Sequence, residues 1–259
     1  MLEINPVKAF NDNYLWIFKD SESLNACVVD PGDAAPVIAY LKKENLGLSA
    51  ILLTHHHADH IGGVNDLLAL KDVPVYGPQS SYIPQVTKPL FEGDVVNLAN
   101  TNFSVLEIPG HTLDHIAYYA DTTSNTNNET PVLFCGDTLF AGGCGRIFEG
   151  TAEMMYGSLQ KLAALDPQTQ VFCAHEYTLS NLAFAAAVAP EDSALQQRIQ
   201  QEQAKRKNDI PTVPTSIELE LRTNPFLRCS EESIVENFPE KAQQPVAIFA
   251  ALRQWKDGF

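Results

Sequence analysis

The sequence is short of positive charge: 17 lysines and arginines stand against 32 aspartates and glutamates, a formal net charge of −15 over 259 residues. A chain this acidic repels a phosphate backbone, which argues against nucleic acid as the main partner. Long apolar runs are missing too. Nothing approaches the ~18 residues a membrane span needs, and the opening MLEINPVKAF lacks the apolar core of a secretory signal, so a cytoplasmic protein with no membrane partner is expected. Cysteine is sparse and unpaired: Cys27, Cys135, Cys144, Cys173 and Cys229 are odd in number and scattered, with no CxxC. Reduced thiols are expected, four as small buried groups and Cys229, between Arg228 and Ser230, as an exposed one. There is no solenoid-length repeat, and the only low-complexity tract is the polar TTSNTNNET at 122–130, which reads as an exposed hairpin loop.

What remains is the composition of a globular protein, 45% hydrophobic and 19% charged, long enough for one large domain or one with a smaller companion. YLWIF and NACVVD are β-rich runs joined by a polar turn. AAPVIAYLKKEN has apolar residues at helical spacing, LSAILLTH is the next strand, and VNDLLALK a further helix. Strand patterns then recur in VPVYGP, DVVNLA, FSVLEIPG, HIAYYA and VLFCGD. Past residue 150 the texture becomes helical: AEMMYGSLQKLAALD is a helix, QVFCAHE one more strand, and IPTVPTS a stiff connector. PEDSALQQRIQQEQAKRKND has so few apolar positions that a solvated helix is expected. A domain boundary is placed near residue 175.

Four of the seven histidines fall within six residues, His55, His56, His57 and His60, with Asp59 among them, directly after the apolar LSAILLT. At a strand exit His55 and His57 point to one side, and Asp59 and His60 lie on the turn into the next helix. Imidazoles and a carboxylate so placed suit zinc, iron and related dications. His111 follows FSVLEIPG, His115 comes four residues later, Asp137 ends LFCGD and His175 ends QVFCAH. Each alone reads as a hydrogen-bonded structural residue; together, at the ends of apolar strands, they are what a site assembled from several strand exits requires. Other motifs fail: His175-Glu176 would open HExxH, but position 179 is Leu, GGCGRIFEG lacks the Lys-Ser/Thr end of a phosphate loop, and no GxSxG occurs.

THHHADHIGG resembles the HxHxDH signature of the metallo-β-lactamase fold, and PGHTLDH, GDTLF and HEYT are similar to its later metal motifs. The similarity is closer to one branch, the glyoxalase II or hydroxyacylglutathione hydrolase family. It runs from NDNYLWIF through VDPG, LFAGGCGRIFEGT and HEYTLSNL to NPFLR and RQWKDGF. The resemblance implies an α/β protein, an αββα sandwich over residues 1–175 with a helical substrate-binding domain over 176–259. It implies two divalent metal ions, zinc first, with iron or manganese also compatible. His55, His57 and His111 would hold one, Asp59, His60 and His175 the other, and Asp137 would bridge them. His56 and His115 are left to supporting roles.

The implied reaction is hydrolysis of S-(2-hydroxyacyl)glutathione, typically S-D-lactoylglutathione, to glutathione and D-lactate, the second step of methylglyoxal detoxification. Two dications sharing a water bring its pKa towards neutrality, and Asp59 or Asp137 orients the attacking oxygen. No serine or cysteine nucleophile is required, and a thiol leaves without a dedicated general acid. Arg146, Phe148, Tyr177, Arg253 and Lys256 are implied contacts to the glutathione body; Phe148 stands where many relatives carry a tyrosine, so a weaker affinity is expected. Arg253 and Lys256, three residues apart, share a helical face. A monomer is expected. The competing reading is a glutathione persulfide dioxygenase, which keeps only the first metal trio, or another hydrolase of the same fold.

Overall fold

The computed structural model describes residues 1–121 and 130–259. The loop expected at 122–130 therefore lies, Thr130 apart, outside the described residues. The chain forms two compact units that interleave in sequence, residues 1–107 with 114–136, and 108–113 with 137–259.

The first unit opens with β1 (Leu2–Ala9), β2 (Asn13–Asp20) and β3 (Asn25–Val29), then α1 (Ala34–Lys43) and β4 (Gly47–Leu52). The short α2 (Ala58–Ile61), α3 (Val64–Leu70), β5 (Val75–Pro78) and β6 (Lys88–Leu90) follow. These strands form one sheet in chain order, antiparallel from β1 to β3 and parallel from β3 to β6. A second, antiparallel run is made by β7 (Val95–Leu98), β8 (Thr101–Glu107), β9 (Ile116–Ala120) and β10 (Val132–Phe134).

The continuous apolar run in β2 is explained by burial on both faces. Leu15 and Ile17 join Val37 and Leu41 of α1 and Val64 and Leu67 of α3 in one core. On the opposite face Phe18 meets Phe103 of β8 and Phe134 of β10, ring centroids 5.3 and 5.5 Å away. Two sheets thus pack face to face, with helices α1 and α3 outside the first. Parallel β3 and β4 end side by side, and the segments leaving them, Asp30–Gly32 and Thr54–His60, emerge together.

The second unit holds the hairpin β11 (Leu139–Phe140) and β12 (Gly143–Cys144), α4 (Ala152–Ala163), β13 (Gln170–Phe172), α5 (Thr178–Val188) and α6 (Ser193–Lys207). It ends with β14 (Thr215–Ser216), which pairs with β13, then α7 (Ile217–Thr223), α8 (Glu232–Val235) and α9 (Pro245–Asp257). Side chains cap three of these helices: Thr151 accepts from Met154 N–H, Asp192 from Leu195 N–H and Ser216 from Leu219 N–H. Phe226 packs between Phe184 of α5 and Phe249 of α9, each at 5.8 Å.

Two expectations are corrected here. Helix α6 is not simply solvated: Leu195, Arg198 and Glu202 are buried, and Arg198 Nη2 lies 2.5 Å from Glu220 Oε1 of α7. Its inner face is charged, so a search for apolar periodicity passes it by. Cys229 is buried rather than exposed, its thiol directed to the carbonyls of Phe226 and Pro225. Strands β1 and β6 were not expected; Pro6 interrupts one and the other has three residues.

The Phe18 cluster is the seam between the sheets. Phe18→Ala is expected to cost about 3–5 kcal/mol, read as a lower midpoint in a denaturant titration. A loss below about 1 kcal/mol, the range of ordinary surface changes, would mean the sheets do not depend on this contact.

Candidate active site

In the first unit the exits of β3 and β4 supply Asp30, Thr54 and the histidine cluster. Thr54 donates to Asp30 through its backbone N–H (2.8 Å) and its hydroxyl (2.7 Å). With that hydroxyl proton committed, the Thr54 oxygen accepts from His55 Nδ1 at 3.0 Å. His55 therefore presents Nε2 as a lone pair. His60 Nδ1 lies 3.1 Å from Asp30 Oδ2. His55 Nε2 faces His57 Nδ1 at 3.1 Å, and the His55 and His60 rings lie 4.1 Å apart. Asp59 Oδ2 is 3.5 Å from His60 Nε2 and accepts from Asn13 Nδ2 at 3.0 Å. The backbone can close this tightly because Gly32 has no side chain; a Cβ there would lie 1.7 Å from the Asp59 carbonyl oxygen.

The second unit supplies His111, Asp137 and His175. Asp137 offers one oxygen to each imidazole: Oδ2 is 3.4 Å from His111 Nε2, and Oδ1 is 3.3 Å from His175 Nε2. His111 Nδ1 donates to the carbonyl of Arg146 at 2.8 Å, which again leaves Nε2 as the lone pair. His175 stacks on Tyr177 with centroids 4.6 Å apart and planes 4° from parallel.

The donor set fits divalent metal ions. His55 and His111, their Nδ1 protons tied to the Thr54 hydroxyl oxygen and the Arg146 carbonyl, turn Nε2 lone pairs toward His57 in the first unit and Asp137 in the second. Protonating such rings would bury cations, whereas the lone pairs in each unit, with Asp59 in the first and Asp137 in the second as anionic donors, suit a dication. The thiols offer no competing nucleophile: burial pushes Cys27 and Cys144 up to about 11, and Cys173 and Cys229 up to about 12.

His56 and His115 are held elsewhere. His56 Nδ1 lies 3.0 Å from both oxygens of Asp114 and its ring packs on Tyr82 at 4.7 Å. His115 Nδ1 donates to the Ile116 carbonyl, and its ring stacks on His55 at 4.5 Å. Asn13, Asp30, Thr54 and Asp114 are the residues that reading for chemistry missed. All four lie in motifs that carry the family resemblance, Asn13 in NDNYLWIF, Asp30 in VDPG, Thr54 in THHHADHIGG and Asp114 in PGHTLDH, which is the one available signal.

The second unit also gathers the five residues expected to meet glutathione. Arg146, Phe148 and Tyr177 are open to solvent at the surface, Phe148 62% exposed with its ring edge on His111. Lys256 is half-buried over the rings of Phe184 and Phe259 and donates to the carbonyl of Ser180 at 3.1 Å. Its pKa is lowered by burial first, then by the charges of Arg253 and Arg146. Arg253 is different from a solvated cation. It is buried, donates to the Cys144 carbonyl at 2.9 Å, pairs with Asp257 at 3.0 Å and lies over Phe226.

Residues 16–175 match the model of the metallo-beta-lactamase superfamily, and residues 176–259 that of the hydroxyacylglutathione hydrolase C-terminus. The chain is 51% identical to a hydroxyacylglutathione hydrolase of Aliivibrio salmonicida and 49% identical to one of Pseudomonas aeruginosa, each alignment covering 100% of both chains. Among solved structures it is similar to TTHA1623 in a di-iron-bound form, with a TM-score of 0.60 and 26% identity over 86% of this chain and 100% of that one. Matched by both models and half-identical to named members over its full length, the chain belongs to the hydroxyacylglutathione hydrolase family of the metallo-β-lactamase superfamily.

Proposed function

We propose that the protein hydrolyses S-(2-hydroxyacyl)glutathione, S-D-lactoylglutathione first among these, to glutathione and the 2-hydroxy acid, the second step of methylglyoxal detoxification. The observation that carries this reading is a complete His and Asp donor set accompanied, in the second unit, by a cationic and aromatic surface suited to an anionic thiol donor. His55, His57 and His111 would hold one divalent ion, Asp59, His60 and His175 the other, and Asp137 would bridge them. A relative described in a di-iron form supports a pair of metals. Zinc is the proposed ion, since neutral imidazoles with carboxylates suit it; iron and manganese accept the same donors. When bound, such ions supply Lewis acidity at the thioester carbonyl and an activated water.

The chain's own residues do the rest. Asp59, fixed by the Asn13 amide, orients the attacking water and takes up its proton. Asp137 spreads one negative charge over two oxygens, each toward a different imidazole, and so sets the spacing of the donors. The departing thiolate is stable enough near neutral pH to leave without a proton donor. Arg146 and Lys256 meet a carboxylate of glutathione, Phe148 and Tyr177 flank its chain, and Arg253 holds the backbone at Cys144 from beneath. Division into a catalytic part, 1–175, and a substrate-binding part, 176–259, is supported by the ends of the two family matches. A cytoplasmic monomer is the proposed setting; among the described residues no helix is long and apolar enough to cross a membrane.

Asp59→Asn is expected to depress kcat strongly with little change in KM for S-lactoylglutathione, because Asp59 acts on the water and not on the glutathione body. Normal turnover with a raised KM would contradict the assignment. Lys256→Ala is expected to raise KM for glutathione thioesters by roughly 10- to 100-fold, the worth of one hydrogen bond to a charged group. Hydrolysis of short thioesters lacking glutathione should stay unchanged. Equal losses on both substrates would remove the cation from the thiol-donor site. Arg253→Ala, by contrast, should also lower Tm, since it empties a buried position.

A further inference from the structure

The hairpin Leu139–Cys144 has two strands of two residues each, too little ladder to hold it. Its backbone is met instead by buried side chains of the second unit. Asn224 Nδ2 donates to the carbonyls of Phe140 (3.3 Å) and Gly143 (2.9 Å). Asn181 Nδ2 donates to Ala141 (3.2 Å), and Arg253 Nη1 to Cys144 (2.9 Å). In the other direction Gly142 N–H donates to Glu220 Oε2 at 2.8 Å, an oxygen that also accepts from Asn224 at 2.9 Å. Glu220 and Asn224 are both fully buried, and the Glu220 charge is answered by Arg198. A network this enclosed holds one geometry, since a shift would strand the buried polar groups that these side chains pair.

The glycines of AGGCG let the brace close. Gly142 has φ +71°, a Cβ on Gly143 would lie 2.6 Å from Asn181 Cγ, and one on Gly145 would lie 1.9 Å from the Asp137 carbonyl oxygen. The groups at the two ends of this hairpin are those the reaction needs. Before it stands Asp137, facing His111 and His175. After it stands Arg146, whose carbonyl fixes the tautomer of His111 and whose side chain belongs to the thiol-donor surface.

We propose that Asn224 and Glu220 are positioning residues for the reaction: by bracing the 139–145 hairpin they set Asp137, the His111 ring and Arg146 together, so that metal retention and thiol-donor affinity rest on one buried network. This rests on the reading of Asp137 and His111 as metal ligands and of Arg146 as a glutathione contact. A residue that serves the fold alone would change only Tm; a positioning residue changes metal hold and KM as well.

The test compares Asn224→Ala and the milder Asn181→Ala with wild type in the full-length, zinc-loaded protein. Chelator competition, KM and kcat for S-lactoylglutathione and for a glutathione-free thioester, far-UV circular dichroism and Tm are read for each. Both variants should keep the wild-type far-UV spectrum. Asn224→Ala should release zinc to chelator with an affinity loss of roughly 10- to 100-fold, as supporting partners of metal ligands typically show. Its KM for the glutathione substrate should rise, with Asn181→Ala shifted the same way but less and Asn224→Gln recovering part of the loss. Wild-type zinc affinity and KM in both variants, with only a lower Tm, overturn the inference. Should Asn224→Ala fail to fold, Asn181→Ala decides by the same criteria. A wild type that binds no metal or leaves S-lactoylglutathione intact overturns the functional reading itself; variants indistinguishable from an active wild type overturn only the brace.

Discussion

Asp30 carries a buried carboxylate whose oxygens accept from the Thr54 amide and hydroxyl and lie 3.1 Å from His60 Nδ1. Because Thr54 passes the effect on, this one anion sets the tautomer of His55. Removing a carboxylate from water is costly, and only several hydrogen bonds to the charged form, each about 1.5–3 kcal/mol, make the position stable. Asp30 has φ +50°, and Gly32 two residues on lies against the Asp59 backbone. Strain, burial and charge meet at one strand exit, and the order of the first unit's donors follows from it.

The second unit reaches the same end by other means. His111 gives its Nδ1 proton to a backbone carbonyl, and that carbonyl belongs to a hairpin tied down by Asn224, Glu220 and Arg253. A backbone acceptor costs less to bury than an anion, but its position depends on whatever holds the loop. His55 in the first unit and His111 in the second have Nδ1 committed and Nε2 left over, which is the condition for an imidazole to act as a ligand and not as an acid.

The donors themselves could be read in the sequence because imidazoles and carboxylates at the ends of apolar runs are chemically conspicuous, and His55–His60 is dense enough to stand out. Their supports could not. Asp30 lies 24 residues from Thr54, and Asn13 lies 46 from Asp59, so nothing local links them. Helix and strand periodicity marks β2, β4, β8, α1 and α4, and marks α6 as a helix but not its burial, because beside Leu195 its inward face is Arg198 and Glu202. Arg253 stands out in the sequence as an implied glutathione contact, but not as a residue stacked on Phe226 and bonded to the Cys144 carbonyl, partners 27 and 109 positions away. Charge that is buried and paired looks like surface until its partner is known.

As proposed, the donor set works as a two-metal site for thioester hydrolysis. The most direct measurement is a titration of metal-free protein with zinc, following S-lactoylglutathione hydrolysis as zinc is added. The account predicts that activity rises to its plateau at about two equivalents per chain, the stoichiometry of a two-metal site. Full activity at about one equivalent, with the second ion bound but silent, would contradict it.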